Sequence, residues 1–408
     1  MVKFDRAIIG GSIILLITFN IFNLLNFIFQ ASMARLLLPA EYRIVGVLLS
    51  VMYIAGIFSE SIQNVIIKYT SQEKDGGKIK NLLKRAKKRA LLLATIAFFV
   101  YLVIMVPLAY LSHIHYALLA LHGLVIFGLF MLPVTRGVMQ GKKLFARLGM
   151  NLIIESAIKL ILGIVLVLIV ARYFPALKIY AVSIAILAGV FSALFFSGIA
   201  LKGIMRMKEK KIPVTFYLFA DKSVSIIFIT FIIILFYSVD IFIANIVFPE
   251  DLAGYYTYAS LLAKSIFWGT QPISKALFPI SAEKAKMKAG STFANALALL
   301  SGLVILSLII IYFFPGLLIR IFAGGEYQES IRALPILALG TSMLSFANLV
   351  LLYKIARGAT RGYLVLGIAL VVEVLLLFTY SNSLVQFSLA YMAAAAIFLW
   401  ASTALLKE

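Results

Sequence analysis

The chain has 408 residues, of which 63% are hydrophobic and only 13% charged, about half the charged share of a soluble domain. A mean hydropathy of +1.07 and repeated apolar runs long enough to cross a bilayer exclude a soluble globular protein and define a polytopic membrane protein. The absence of Cys excludes disulfides, thiolate metal sites and Cys nucleophiles. The net charge of +21 is scattered over short loops, where it suits anionic lipid headgroups rather than nucleic acid.

In chain order, apolar length predicts twelve spans, at 7–34, 44–70, 90–112, 116–136, 149–171, 179–202, 214–248, 254–281, 291–314, 329–353, 362–380 and 384–405. The N-terminus enters the first span without a small-residue cleavage site, so that span is expected to be retained. The longest stretch outside the membrane, 69–89, reads as a lysine-rich connector. Lys and Arg alternate from loop to loop. The outer ends hold only Arg35, Arg43, Arg172, Lys178, Arg320 and Arg332, while Lys159, Lys222 and Lys264 lie within spans. All other basic residues fall on one side, and the positive-inside rule places that side, with both termini, in the cytoplasm.

Two markers indicate an internal repeat. The turn Pro39-Ala40-Glu41-Tyr42-Arg43 and its flanking spans are echoed around Pro249-Glu250-Asp251-Leu252-Ala253-Gly254, 211 residues on. The pattern Arg136-Gly137…Gly141 returns as Arg357-Gly358…Gly362. An even number of spans per half makes this a parallel six-plus-six repeat, with bundles at 1–211 and 212–408. In the second span Tyr53, Glu60, Asn64 and Lys68 form one polar stripe at helical spacing. In the eighth, Lys264, Trp268, Gln271 and Lys275 do the same, and the 211-residue shift superposes Tyr53 on Lys264, Glu60 on Gln271 and Asn64 on Lys275. The simplest reading is two equivalent polar faces turned to one aqueous cavity. Asn23, Asn26 and Gln30 add a stripe on the first span that the seventh does not repeat.

The chain resembles the polysaccharide-transport branch of the multidrug/oligosaccharidyl-lipid/polysaccharide flippase superfamily, typified by O-antigen flippases. The resemblance is carried by Ala34-Arg35-Leu36…Pro39-Ala40-Glu41-Tyr42, Asp240…Gly254-Tyr255…Ala259, Pro279-Ile280-Ser281, Ile321-Phe322-Ala323-Gly324…Tyr327 with Leu334…Leu337, and Arg357-Gly358. It departs from the family pattern at Arg43, where Gly is usual. It implies an all-α integral membrane fold of two six-helix bundles around a central cavity. It also implies movement of a lipid-linked oligosaccharide by alternating access.

Lys264 is the leading site residue. A lysine near mid-span costs about 2.5–3.5 kcal/mol to insert, so it faces a cavity or a partner. It either holds the pyrophosphate of a lipid-linked sugar or forms an ion pair with Asp240, and the sequence leaves both open. Gln271, Lys275, Asn23, Asn26 and Asn64 are the polar candidates for the substrate, with Arg35 and Arg43 at the outer mouth. Asp240 and Glu60 are candidate sites for a coupling sodium ion or proton, Asp240 being equally suited to structural capping. Lys68 and the 74–89 run read as headgroup contacts. Glu155 with Lys159, and Asp221 with Lys222, are close enough along the chain for local ion pairs. Glu373 has no partner nearby in sequence. His113 and His115 read as interfacial rather than metal ligands, no cofactor is implied, and Gly137 and Gly358 read as close-packing positions.

Three functions fit this pattern. The first is a flippase for a polyprenyl-(pyro)phosphate-linked oligosaccharide in the cell membrane, working with membrane lipids and glycan-assembly proteins. The second is a cation-coupled multidrug or metabolite antiporter of the same superfamily. The third, a membrane transferase or ligase, needs an outer catalytic loop, and the only candidate, near 315–330, offers just Arg320, Glu326 and Glu329.

Overall fold

The computed structural model describes residues 6–211, 224–283, 289–356 and 363–404, and among them there are helices and turns but no strand. The chain divides into two compact units. The first comprises Met1–Leu36 and Val51–Ser223, the second Leu37–Ser50 and Val224–Glu408.

The first unit holds α1 (Arg6–Leu36), the later part of α2 (Pro39–Gln72), α3 (Gly76–Ser112), α4 (Tyr116–Gly123), α5 (Val125–Gly141), α6 (Phe145–Tyr173), α7 (Lys178–Ala200) and the short α8 (Lys202–Arg206). Helix α6 packs on α1 and α7, while α3 packs on α4 and α5. The fourth expected span is thus two helices end to end. The second unit holds the first turns of α2, then α9 (Val224–Val247), α10 (Glu250–Glu283), α11 (Ala289–Phe313), α12 (Pro315–Ala323), α13 (Gln328–Ala356), α14 (Tyr363–Thr379) and α15 (Leu384–Ala404). There α10 packs on α13, α11 and α9, α13 on α15, and α14 on α15 and α9.

Among the described residues each expected span falls on helix, the fourth on two. Ten meet the length and hydropathy needed to cross a membrane, whereas α14 is a shorter apolar helix of 17 residues. Helix α10 is long enough at 34 residues, but its tyrosines, serines and Lys264 make it too polar to stand among the ten. Outward faces are apolar, as lipid requires. On α3, for example, Leu92, Phe99, Val103, Val106 and Tyr110 form one exposed stripe. The protein is a multi-pass membrane protein.

The helix bounds carry the repeat. Adding 211 to the start of α2 at Pro39 reaches the start of α10 at Glu250. The same shift carries the end of α1 at Leu36 to the end of α9 at Val247.

The lysine-rich connector is not a loop. Residues 76–89 are the first turns of α3, because Ile79, Leu82, Leu83, Ala86 and Ala90 recur at helical spacing and are buried while the lysines point outward. Asp75 caps this helix, accepting from the Gly77 N–H at 2.8 Å. The segment after α8 is clasped to it. Lys210 bonds Asp75 at 2.6 Å and Lys84 bonds Glu209 at 2.5 Å. The Lys210 ammonium and the cap together hold the Asp75 carboxyl below its usual range, and Lys84 with Asn81 does the same for Glu209.

Candidate functional site

Helices α9 and α10 meet through a polar seam that their sequences dictate. On α10, Tyr256, Ser260, Lys264 and Trp268 recur every four residues and so share one face. On α9, Tyr237 and Asp240 lie one turn apart and face them. All three donors of the α10 row before Trp268 converge on Asp240. The Lys264 Nζ donates to Oδ1 at 2.7 Å, while the Tyr256 hydroxyl at 2.7 Å and the Ser260 hydroxyl at 3.0 Å donate to Oδ2. The ammonium also lies 4.8 Å from the centre of the Tyr237 ring, a cation–π contact. Trp268 closes the row by donating its indole N–H to the Tyr237 hydroxyl at 2.8 Å. Asp240 is 0% exposed and Lys264 1%. Charge-assisted bonds of this kind are the strong ones, and a buried pair persists only when its lone pairs are so satisfied.

Glu373 on α14 is the third charged residue of this region. It is 0% exposed, lies within electrostatic reach of Asp240 and Lys264, and has no hydrogen-bond partner for either carboxyl oxygen among the described residues.

Beside this seam the first turns of α2 dock onto α10. Gly254 makes the approach possible, since a Cβ there would fall 2.1 Å from the Pro39 carbonyl oxygen. Tyr42 stacks on Tyr258 at 4.8 Å and meets Phe322 edge-on. Arg43 is 2% exposed, bonding Asn245 at 3.1 Å and Glu250 at 2.5 Å. The residue expected at an open outer mouth is thus a buried tie between α2, α9 and α10.

In the first unit a second polar cluster joins α5, α6 and α7. Arg136 donates to Asn151 at 2.7 Å and to Glu155, and Asn151 reaches the Ala193 carbonyl and Ser197. Glu155 therefore pairs with Arg136 rather than with Lys159 one turn along. Lys159 turns instead to Asn26 on α1, over the Phe29 ring at 5.0 Å. Gly137 and Gly141 act as close-packing positions, lying against Ile66 and Thr70 of α2. Gly358, Asp221 and Lys222 lie outside the described residues.

Of the other candidates, Asn23, Glu60, Asn64, Lys68 and Arg35 are exposed and Gln271 is half-buried. The Lys275 side chain lies outside the described residues. Arg35 ends α1, where a cation suits the helix dipole. The segment around 315–330 offers two exposed ion pairs, Arg320–Glu326 and Arg332–Glu329. Tyr256 and Ser260 were not among the candidates, although their spacing to Lys264 was readable. What pointed them at Asp240 was the pairing of α9 with α10.

Comparisons with known proteins bear on this arrangement. An inward-facing multidrug resistance MATE family transporter of the MOP superfamily is similar with a TM-score of 0.68 and 15% identity, covering 99% of each chain. The lipid II flippase MurJ in an inward closed conformation is similar with a TM-score of 0.69 and 15% identity, covering 97% of this chain and 88% of that one. An outward-facing MATE family transporter gives a TM-score of 0.66 at 14% identity, covering 98% of this chain and 96% of that one. The fold is therefore that of the MOP superfamily. No curated protein matches the chain significantly in sequence. The family described as polysaccharide biosynthesis protein matches residues 9–285. With more than half its length matched and every described element helical, the chain belongs to the polysaccharide biosynthesis protein family, built on the MOP superfamily fold.

Proposed function

We propose that the protein is a flippase carrying a polyprenyl-(pyro)phosphate-linked oligosaccharide across the cytoplasmic membrane by alternating access, for assembly of a surface polysaccharide. One observation carries this reading. A polysaccharide biosynthesis family match runs through a chain whose described residues are almost all membrane helix on a transporter fold. A biosynthetic role built this way is served by moving an intermediate rather than making one. The short segment near 315–330, with its exposed ion pairs, is a poor base for a transferase, so the protein is proposed not to be an enzyme.

Both termini are proposed to be cytoplasmic, from the charge alternation of the loops. Membrane lipids surround the protein, and glycan-assembly proteins are its proposed partners. The exposed Asn23, Asn64 and Arg35, with Gln271, suit sugar hydroxyls and phosphate. Lys264 engages a diphosphate only if Asp240 releases it, and Arg43 only if Glu250 does. Asn26 and Lys275 complete the proposed substrate set, and Glu60 remains a proposed coupling group for a proton or sodium ion. Asp240, whose oxygens already hold Lys264, Tyr256 and Ser260, remains one for a proton.

The test is export. Cells lacking the protein are expected to hold the lipid-linked glycan on the inner leaflet and to lose the surface polymer, with restoration on re-expression. Normal surface display in its absence, with no second flippase, overturns the proposal. The antiporter reading predicts instead a changed resistance to cationic compounds with the surface glycan intact.

A further inference from the structure

Asp240, Lys264 and Glu373 lie within electrostatic reach of one another in the buried interior of the second unit, and their charges do not balance. Asp240 and Lys264 neutralise one another, while Glu373 is sealed from solvent with both carboxyl oxygens unpartnered among the described residues. An ionised carboxylate left so costs far more than any neutral arrangement, and such groups take up a counter-charge instead. The groups within electrostatic reach of it are Asp240 from α9, Tyr256 and Lys264 from α10, and Tyr391 from α15. The only cation among them is already bonded to Asp240.

We propose that Glu373 is a proton-binding site that excludes metal cations, and that Lys264 senses its state. A sodium ion here would sit beside an ammonium. It would also find Asp240 with one oxygen bonded to Lys264 and the other holding two hydroxyl donors, three of roughly four acceptor positions. A proton needs none of these. Glu373 takes it up at one carboxyl oxygen, becoming a neutral carboxyl, and no covalent bond elsewhere is formed or broken. With the proton gone the cluster carries two carboxylates for one ammonium, and Lys264 is drawn from Asp240. The row from Tyr256 to Trp268 that joins α9 to α10 then loosens. Use of this step to drive transport rests on the flippase reading, whereas the proton binding does not.

The test uses the purified full-length protein. Infrared spectra at neutral pH are expected to show the carbonyl stretch of a protonated, weakly bonded carboxyl. That band should vanish in Glu373→Gln, shift with isotope-labelled glutamate in the unsubstituted protein, and be indifferent to exchange of potassium for sodium. In a Trp400→Phe background Trp268 is the only indole, and its emission should follow the same titration. Absence of the band from the unsubstituted protein, its persistence in Glu373→Gln, or its loss on adding sodium overturns the proposal. A band with normal sensitivity but no glycan export would sink the flippase reading and leave the proton site standing. Export without the band would do the reverse.

Discussion

At the scale of single residues, the Asp240–Lys264 pair decides what a substitution does. Removing one partner leaves the other charge buried, which costs about 3–5 kcal/mol. Lys264→Ala and Asp240→Ala should therefore both lower the thermal midpoint sharply in detergent. The double variant Asp240→Asn with Lys264→Gln removes both charges and should recover most of the loss, because neighbouring substitutions are strongly non-additive. Equal, additive losses in a double-mutant cycle would show that the pair contributes no coupling. Lys264 was readable as a residue needing a partner or a cavity, since a lone mid-span lysine admits little else. Which of the two it had was not readable, because Asp240 lies on a different helix whose rotation the sequence does not state.

At the scale of elements, the docking of α2 on α10 rests on Gly254. A methyl group there meets the backbone of Pro39 at 2.1 Å, and backbone cannot swing aside. Gly254→Ala should cost about 1–3 kcal/mol through overpacking. Gly56→Ala is the control, with nothing within 4 Å of the added carbon. It should be neutral or gain about 0.5–1 kcal/mol from helix propensity. Thermal unfolding monitored by circular dichroism separates the two, and equal behaviour would refute the close-approach argument. The start of α3 belongs at this scale too. Its lysines suggested a connector, yet the apolar residues between them had helical spacing, and it was that spacing which set the structure.

At the scale of the whole molecule, the proposed orientation places the α2–α3 connection in the cytoplasm. The chain lacks Cys, so single cysteines report cleanly. A cysteine introduced between residues 74 and 89 should resist an impermeant thiol reagent applied outside intact cells and react once the membrane is opened. Labelling from outside would invert the orientation.

The sequence by itself determined the class of the molecule, the apolar spans on which its helices fall and the 211-residue repeat of α1–α2 in α9–α10. These follow from apolar length and spacing, which are local quantities. Tertiary structure decided the partners. Arg43 became a buried tie to Glu250, Lys159 left Glu155 for Asn26, and Tyr256 and Ser260 joined Lys264 on Asp240. Glu373 came within electrostatic reach of Asp240 and Lys264 with neither carboxyl oxygen hydrogen-bonded among the described residues. Each of these outcomes depends on which helix faces are brought together, and so on distances between residues far apart in the chain. In a low-dielectric interior those distances set the energies of charged groups, and hydropathy along a single helix carries no record of them.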